Sequence, residues 1–213
     1  MGQGYTTESK SMKFRSDIDI DFGDRTRALE LLKTTPASIL RDGRLIRHNT
    51  GVYATDIPVD PFMGIASIDH ETAEDRGYMK LDFLNVSLYT QIKSEEHLQE
   101  LIAQEPEWDR LYDPEFCSKL IHIGSHYETL IKMPEAVNSI PRMAMLLAVI
   151  RPAKRHLIGQ TWKDVADTVW DRPQDDSYFF KRSHSVAYSH LVVVNMNLLS
   201  NSDITFRQLC GQA

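Results

Sequence analysis

The stretch SDIDIDFGDR, residues 16–25, decides the fold. Asp17, Asp19 and Asp21 alternate with Ile18 and Ile20, and Phe22 follows. Side chains at i and i+2 of a strand share a face, so the alternation over 14–22 predicts a β-strand with one apolar and one carboxylate face. Aspartate is disfavoured in strands, and neighbouring carboxylates repel and resist burial without a partner. Two readings fit. One is a half-exposed strand with a solvated acidic face. The other is a rigid row of hard oxygen ligands of the kind Mg2+ or Mn2+ takes.

A further aspartate bears on the choice. Asp82 lies between Leu81 and Phe83 in GYMKLDFL, residues 77–84, where a lone carboxylate is costly. A second strand beside the first would present Asp82 to Asp19 and Asp21. Two aspartates on one strand and one on its neighbour is the layout of a nucleotidyl-transfer palm. There, two divalent ions about 4 Å apart suit an in-line displacement at phosphorus, with a carboxylate or a metal-held hydroxide as base.

Working outward, residues 1–13 are polar and predict a loose lead-in. Residues 24–35 predict a helix capped by Asp24 and closed before Pro36. Residues 45–59 read as two short extended pieces around a turn at Asn49–Gly51, and 65–71 as a further strand. Residues 77–92 start as a strand and turn into a helix. Helical periods follow at 94–104, 114–123, 126–133, 140–150 and 161–170, and the length of the apolar run 185–199 predicts a buried helix. Trp162 and Trp170 fit core packing better than base stacking. Strands with one helix followed by helices predict an α+β fold. The division is 1–13 lead-in, 14–95 sheet region with the three aspartates, and 96–213 mainly helical.

The 213 residues are enough for a core without disulfides, and the two cysteines, Cys117 and Cys210, have no metal-type spacing. That cysteine usage and the absence of an apolar run at the start predict a cytoplasmic protein. The longest clean apolar run, residues 143–150, is too short to span a bilayer, so no membrane is expected. Hydrophobic residues are 42%, charged residues 25%, and the formal net charge is −6. Proteins that grip nucleic acid unaided are usually basic, so this chain needs a local basic patch, a metal ion or a partner.

Five segments in order resemble the catalytic core of the bacterial replicative DNA polymerase III alpha subunit, the C-family polymerases. SDIDIDFGDRTR is similar to the family's first acidic motif, with Asp19 and Asp21 at its metal-binding pair and Arg25 and Arg27 in the helix that follows. RHNTGVYA matches its H-A-x-G-V segment at His48 and Gly51, and GYMKLDFLNV matches its third-aspartate motif at Gly77, Lys80, Asp82, Phe83 and Leu84. Arg151–Pro152 matches an arginine–proline pair. FFKRSHSVAY is similar to F-N-K-S-H-S-x-A-Y at Phe180, Lys181, Ser183, His184, Ser185, Ala187 and Tyr188, with Arg182 inserted.

The resemblance implies a polymerase-beta-like nucleotidyltransferase palm with a small mixed sheet, followed by a reduced, helical fingers-like region. It implies Asp19, Asp21 and Asp82 as catalytic metal ligands for Mg2+ or Mn2+, and Arg151, Lys181, Ser183 and His184 as nucleotide- or phosphate-binding. His48, Arg25 and Arg182 become nucleic-acid contact candidates. Two of these sets keep a bland alternative: His48 can cap a turn, and Lys181, Arg182 and His184 can be a solvated helix start. The chain departs from the family in lacking its Gly-Ser triphosphate motif and the arginine-rich segment expected between Arg151 and Lys181. The implied activity is nucleotidyl transfer from a dNTP to a DNA primer-template, by one piece of a split or minimal polymerase whose other subunits supply the missing parts. The alternative is a catalytically silent derivative that binds nucleic acid or a replication partner.

Overall fold

The protein is described by a computed structural model covering residues 18–175 and 177–210, with side chains described through residue 203. Asp17 and the expected lead-in at 1–13 lie outside the described residues. Two compact units divide between Gln91 and Ile92.

The first unit is a four-stranded mixed sheet with short helices. Strand β1 (Ile18–Phe22) leads into helix α1 (Arg25–Leu31), whose N-cap Asp24 accepts a hydrogen bond from the Arg27 backbone N–H. The helix stops at Leu31, earlier than the expected 35. Strand β2 (Thr35–Arg41) takes the residues that follow. Pro36 is tolerated because β2 is the last strand of the sheet order β1-β4-β3-β2, where a missing ladder donor is harmless. An Asp42–Gly43 turn, both residues at positive φ (50° and 74°), joins β2 to β3 (Arg44–Tyr53). That is the primed turn favoured by two-residue hairpins.

The two pieces expected around Asn49–Gly51 form one strand with a bulge. Pro36 pairs with Val52 and Ser38 with Arg47, so residues 48–51 of β3 lie opposite Ala37 alone. The strand expected at 65–71 is corrected. Residues there contribute only the isolated bridges Val59–Ala66 and Ser38–Asp69. Asp69 then caps α2 (His70–Asp75), its carboxylate accepting from the Glu71 and Thr72 backbone N–H groups. Strand β4 (Leu81–Asn85) runs parallel to β1 and antiparallel to β3. A 3-10 turn at Ser87–Gln91 stands where a helix was expected.

The second unit is helical: α3 (Glu95–Ala103), α4 (Pro114–Ser118), α5 (Tyr127–Ile131), α6 (Ile140–Val149), α7 (Trp162–Thr168) and α8 (Arg182–Cys210). Its core is built on α6, where Met143, Leu146 and Leu147 are fully buried and pack with Val192 and Met196 of α8. Trp162 is buried in this core and Trp170 packs against it from beyond the end of α7. The architecture is therefore mixed α+β, a small mixed sheet followed by helices. Among the described residues no helix is long and apolar enough to cross a membrane.

Candidate active site

The register of the sheet brings the sequence's aspartates together. Asp19 of β1 is the direct partner of Asp82 of β4, and Asp21 is opposite Leu84. In-register residues of paired strands point the same way, and strands lie about 4.8 Å apart, so Asp19, Asp21 and Asp82 share one face. The opposite face carries Ile20, Phe22 and Phe83, and the Phe22 and Phe83 rings approach to 4.7 Å between centroids. That apolar face explains why the carboxylates must point the other way.

The three carboxyls have different surroundings. Asp19 is exposed and Asp21 half-buried. The Asp21 carboxyl is held above the usual carboxylate range, mostly by burial and then by the Asp19 charge, while a hydrogen bond from Tyr89 opposes the shift. Burial and the same contact push the Tyr89 hydroxyl up. Asp82 sits deeper, its side chain 14% exposed. Its Oδ1 accepts from Thr50 Oγ1 at 2.7 Å, and its Oδ2 pairs with the Lys80 ammonium. Thr50 belongs to β3, so Asp82 leans away from β1.

The β3 bulge makes this possible. His48 Nδ1 accepts from the backbone N–H groups of Gly51 (2.8 Å) and Thr50 (3.2 Å), closing residues 48–51 on the ring. The bulge turns the Thr50 hydroxyl onto the aspartate face. With Nδ1 accepting, the His48 proton resides on Nε2. The 3.8 Å approach of Nδ1 to Asp82 Oδ1 is therefore not an ion pair. Burial first and the Lys80 charge second lower the His48 pKa and keep the ring neutral. His70 of α2 packs edge-on to His48 at 5.3 Å, its Nδ1 buried without a hydrogen-bond partner. The structure thus gives His48 a turn-capping role. Arg25 likewise ties strands together, donating from Nε to the Phe83 carbonyl (2.7 Å) and from Nη2 to the Thr50 carbonyl (3.4 Å).

Gly51 is the close-approach position. A Cβ there would lie 2.8 Å from Lys80 Cδ, 3.0 Å from His48 Nδ1 and 3.1 Å from Ala37 Cβ. We expect Gly51→Ala to destabilise the first unit by about 1–3 kcal/mol, read as a lower urea midpoint. A midpoint unchanged from wild type would show that Lys80 is not held where the site requires it.

The implied divalent ion fits these residues in part. Two carboxylates share a face, and burial first and the Asp19 charge second raise the Asp21 pKa, both of which a bound cation would oppose. The third carboxylate is engaged by an ammonium and a hydroxyl. In keeping with that, no group of three or more His, Cys, Asp or Glu side chains among the described residues is arranged to hold a metal. A three-aspartate set forms only if Asp82 leaves Lys80.

The remaining site residues lie in the second unit. Arg151 precedes a 3-10 turn at Pro152–Leu157, and its guanidinium carbon sits 3.8 Å above the Phe180 ring. Its Nε and Nη2 are buried without hydrogen-bond acceptors, and burial lowers its pKa. Phe180 stacks on Tyr188 at 5.6 Å, and Tyr188 packs on His122 at 4.3 Å. Burial and the Arg151 charge push His122 down to about 4. Arg182 and Ser183 open α8 in exposed positions, Lys181 precedes them exposed, and His184 is half-buried. The structure therefore gathers Arg151 with the start of α8, through Phe180. Thr50, Tyr89 and Phe180 were not singled out in the sequence as site residues. A threonine or tyrosine beside an acidic strand gives no signal until the register is known.

No protein-family model, no curated protein and no solved structure matches this chain.

Proposed function

We propose that the first unit carries a divalent-cation-dependent nucleotidyl-transfer site, related to the palm of the C-family DNA polymerases. Asp19 and Asp21 are its metal ligands, and Asp82 joins them when it exchanges Lys80 for the ion. The observation that supports this is the register Asp19 opposite Asp82, with Asp21 next on the same face. In the reaction, a primer 3′-hydroxyl oxygen bonds to the α-phosphorus of a dNTP. The bond from that phosphorus to the bridging oxygen breaks, and pyrophosphate leaves with the electron pair. A bound Mg2+ or Mn2+ supplies charge stabilisation on the phosphoryl oxygens. The aspartates hold the ion's position, and an ionised carboxylate of the set accepts the hydroxyl proton. Arg151, with two buried donor groups lacking acceptors, is the phosphate-binding candidate of the second unit, together with Lys181, Ser183 and His184 around the start of α8. Other subunits supply what this chain lacks for holding primer-template.

A second reading has its own support. Lys80 and Thr50 already satisfy Asp82, as in a derivative that keeps the sheet but uses an ammonium in place of a metal. Such a protein binds nucleic acid or a replication partner without turnover.

Primer extension on primed DNA with labelled dNTP distinguishes the two. Incorporation that needs Mg2+ or Mn2+ and disappears in Asp19→Ala/Asp21→Ala supports the enzyme. Incorporation equal in the variant would remove the aspartates from the chemistry. No incorporation by the folded wild type, with or without replication subunits, would favour the silent derivative.

A further inference from the structure

With a net charge of −6, this chain needs a local basic patch, a metal ion or a partner to hold nucleic acid. The β2–β3 hairpin supplies a basic patch. Residues 41–47, RDGRLIR, carry Arg41, Arg44 and Arg47 against the single acidic Asp42. All three arginines are exposed. Among the described residues none of the three guanidiniums has an ion-pair or hydrogen-bond partner.

Folding does not account for this arrangement. Arg41 and Arg44 are direct cross-strand partners, and like charges facing each other across a ladder destabilise it. The Asp42–Gly43 turn, with φ of 50° and 74°, closes the hairpin without help from the arginines. The ladder Leu40–Leu45, Ile39–Ile46 and Ser38–Arg47 fixes their directions. Arg41 and Arg44 stand on one face. Arg47, three residues from Arg44, stands on the other, because neighbours alternate.

We propose that this hairpin is a nucleic-acid backbone clamp, a two-stranded ribbon that enters a duplex groove and meets phosphates on both walls. Cations on both faces decide the occupant. A flat anionic surface, such as a vesicle or an acidic protein patch, would engage one face and leave the other in water. A duplex groove has two phosphate walls, and the major groove admits a two-stranded ribbon. Guanidinium forks match phosphate oxygens, and such contacts position a protein without reading sequence. The inference extends the proposed function, on which it rests for the presence of a nucleic-acid substrate.

The test is fluorescence anisotropy with a labelled random-sequence duplex of about 20 base pairs, in EDTA, at salt from about 50 to 200 mM. Each lost phosphate contact lowers the slope of log K against log salt by about 0.9, so Arg41→Gln/Arg44→Gln/Arg47→Gln is expected to lower it by about 2.7. The wild type should then lose about 40-fold more affinity than the variant across that range. The triple Arg→Lys variant keeps the charges and is expected to keep the slope, which separates charge loss from misfolding. The titration is run in EDTA and reads no turnover, so a failure of the aspartate chemistry leaves this result standing. Equal slopes for wild type and the Gln variant would overturn the proposal. So would no duplex binding by the wild type at the lowest salt, or arginine-dependent binding to phosphatidylserine vesicles without binding to duplex.

Discussion

In metal-free buffer at neutral pH, Asp21→Asn will melt higher than the wild type, and millimolar Mn2+ will reverse the order. The Asp21 carboxyl lies above its ordinary value of 3.8 because of burial and the neighbouring Asp19 charge. A raised pKa means the folded chain holds that proton more tightly than the unfolded chain does. The resulting stability is fully present below the ordinary value and is lost as pH rises through the raised one. At neutral pH the ionised side chain is a net cost to the fold. Asparagine removes the charge and still accepts from Tyr89, so Tm should rise in metal-free buffer. With Mn2+ at about 100 times its Kd, the wild type gains about 2.7 kcal/mol and the variant far less. Scanning calorimetry with and without the ion reads both effects. If the variant melts lower in both conditions, the carboxylates are not in conflict and the site has no need of a cation.

Asp82→Ala will cost the first unit about 3 kcal/mol, whereas Lys80→Met will cost less and strengthen Mn2+ binding about tenfold. Asp82 and Lys80 have side chains 14% and 20% exposed. Removing the carboxylate leaves a half-buried ammonium and the Thr50 hydroxyl without their partner, which is the expensive way to break such a pair. Removing the ammonium leaves Asp82 with its Thr50 hydrogen bond and open to a metal ion. A tenfold tightening is the expected sign that Lys80 and the cation compete for the same oxygen. Denaturant titrations measure the stabilities and Mn2+ titration the affinities. Equal destabilisation by the two variants, with unchanged Mn2+ binding, would make the pair purely structural and favour the silent derivative.

The sequence made some of this plain and hid the rest for physical reasons. The D-I-D-I-D alternation gave β1 and its carboxylate face directly, because a strand's period of two is local. Asp82 was marked by its cost between Leu81 and Phe83. Their pairing was only an expectation, since register is a long-range property. The run A-L-E-L-L-K-T-T was read through to Thr35 as helix, although the β-branched pair Thr34–Thr35 and Pro36 favour extended chain. That reading hid β2, and with it the hairpin whose Asp42–Gly43 signal stands openly in the sequence. The turn read at Asn49–Gly51 exists as the bulge that His48 closes. At 65–71 a strand is expected where the chain makes only isolated bridges and then the Asp69-capped α2. The engagement of Asp82 by Lys80 and Thr50 left no trace in the pattern, because it depends on which way one side chain leans.

The most direct test is Mn2+ occupancy by electron paramagnetic resonance, titrating the ion into wild type and into Asp19→Ala/Asp21→Ala and following the loss of the free-ion signal. Saturable binding by the wild type that is lost in the folded variant is the expected result. Binding that is equal in the two proteins, or absent from the wild type at millimolar Mn2+, would contradict a cation site on the aspartate face.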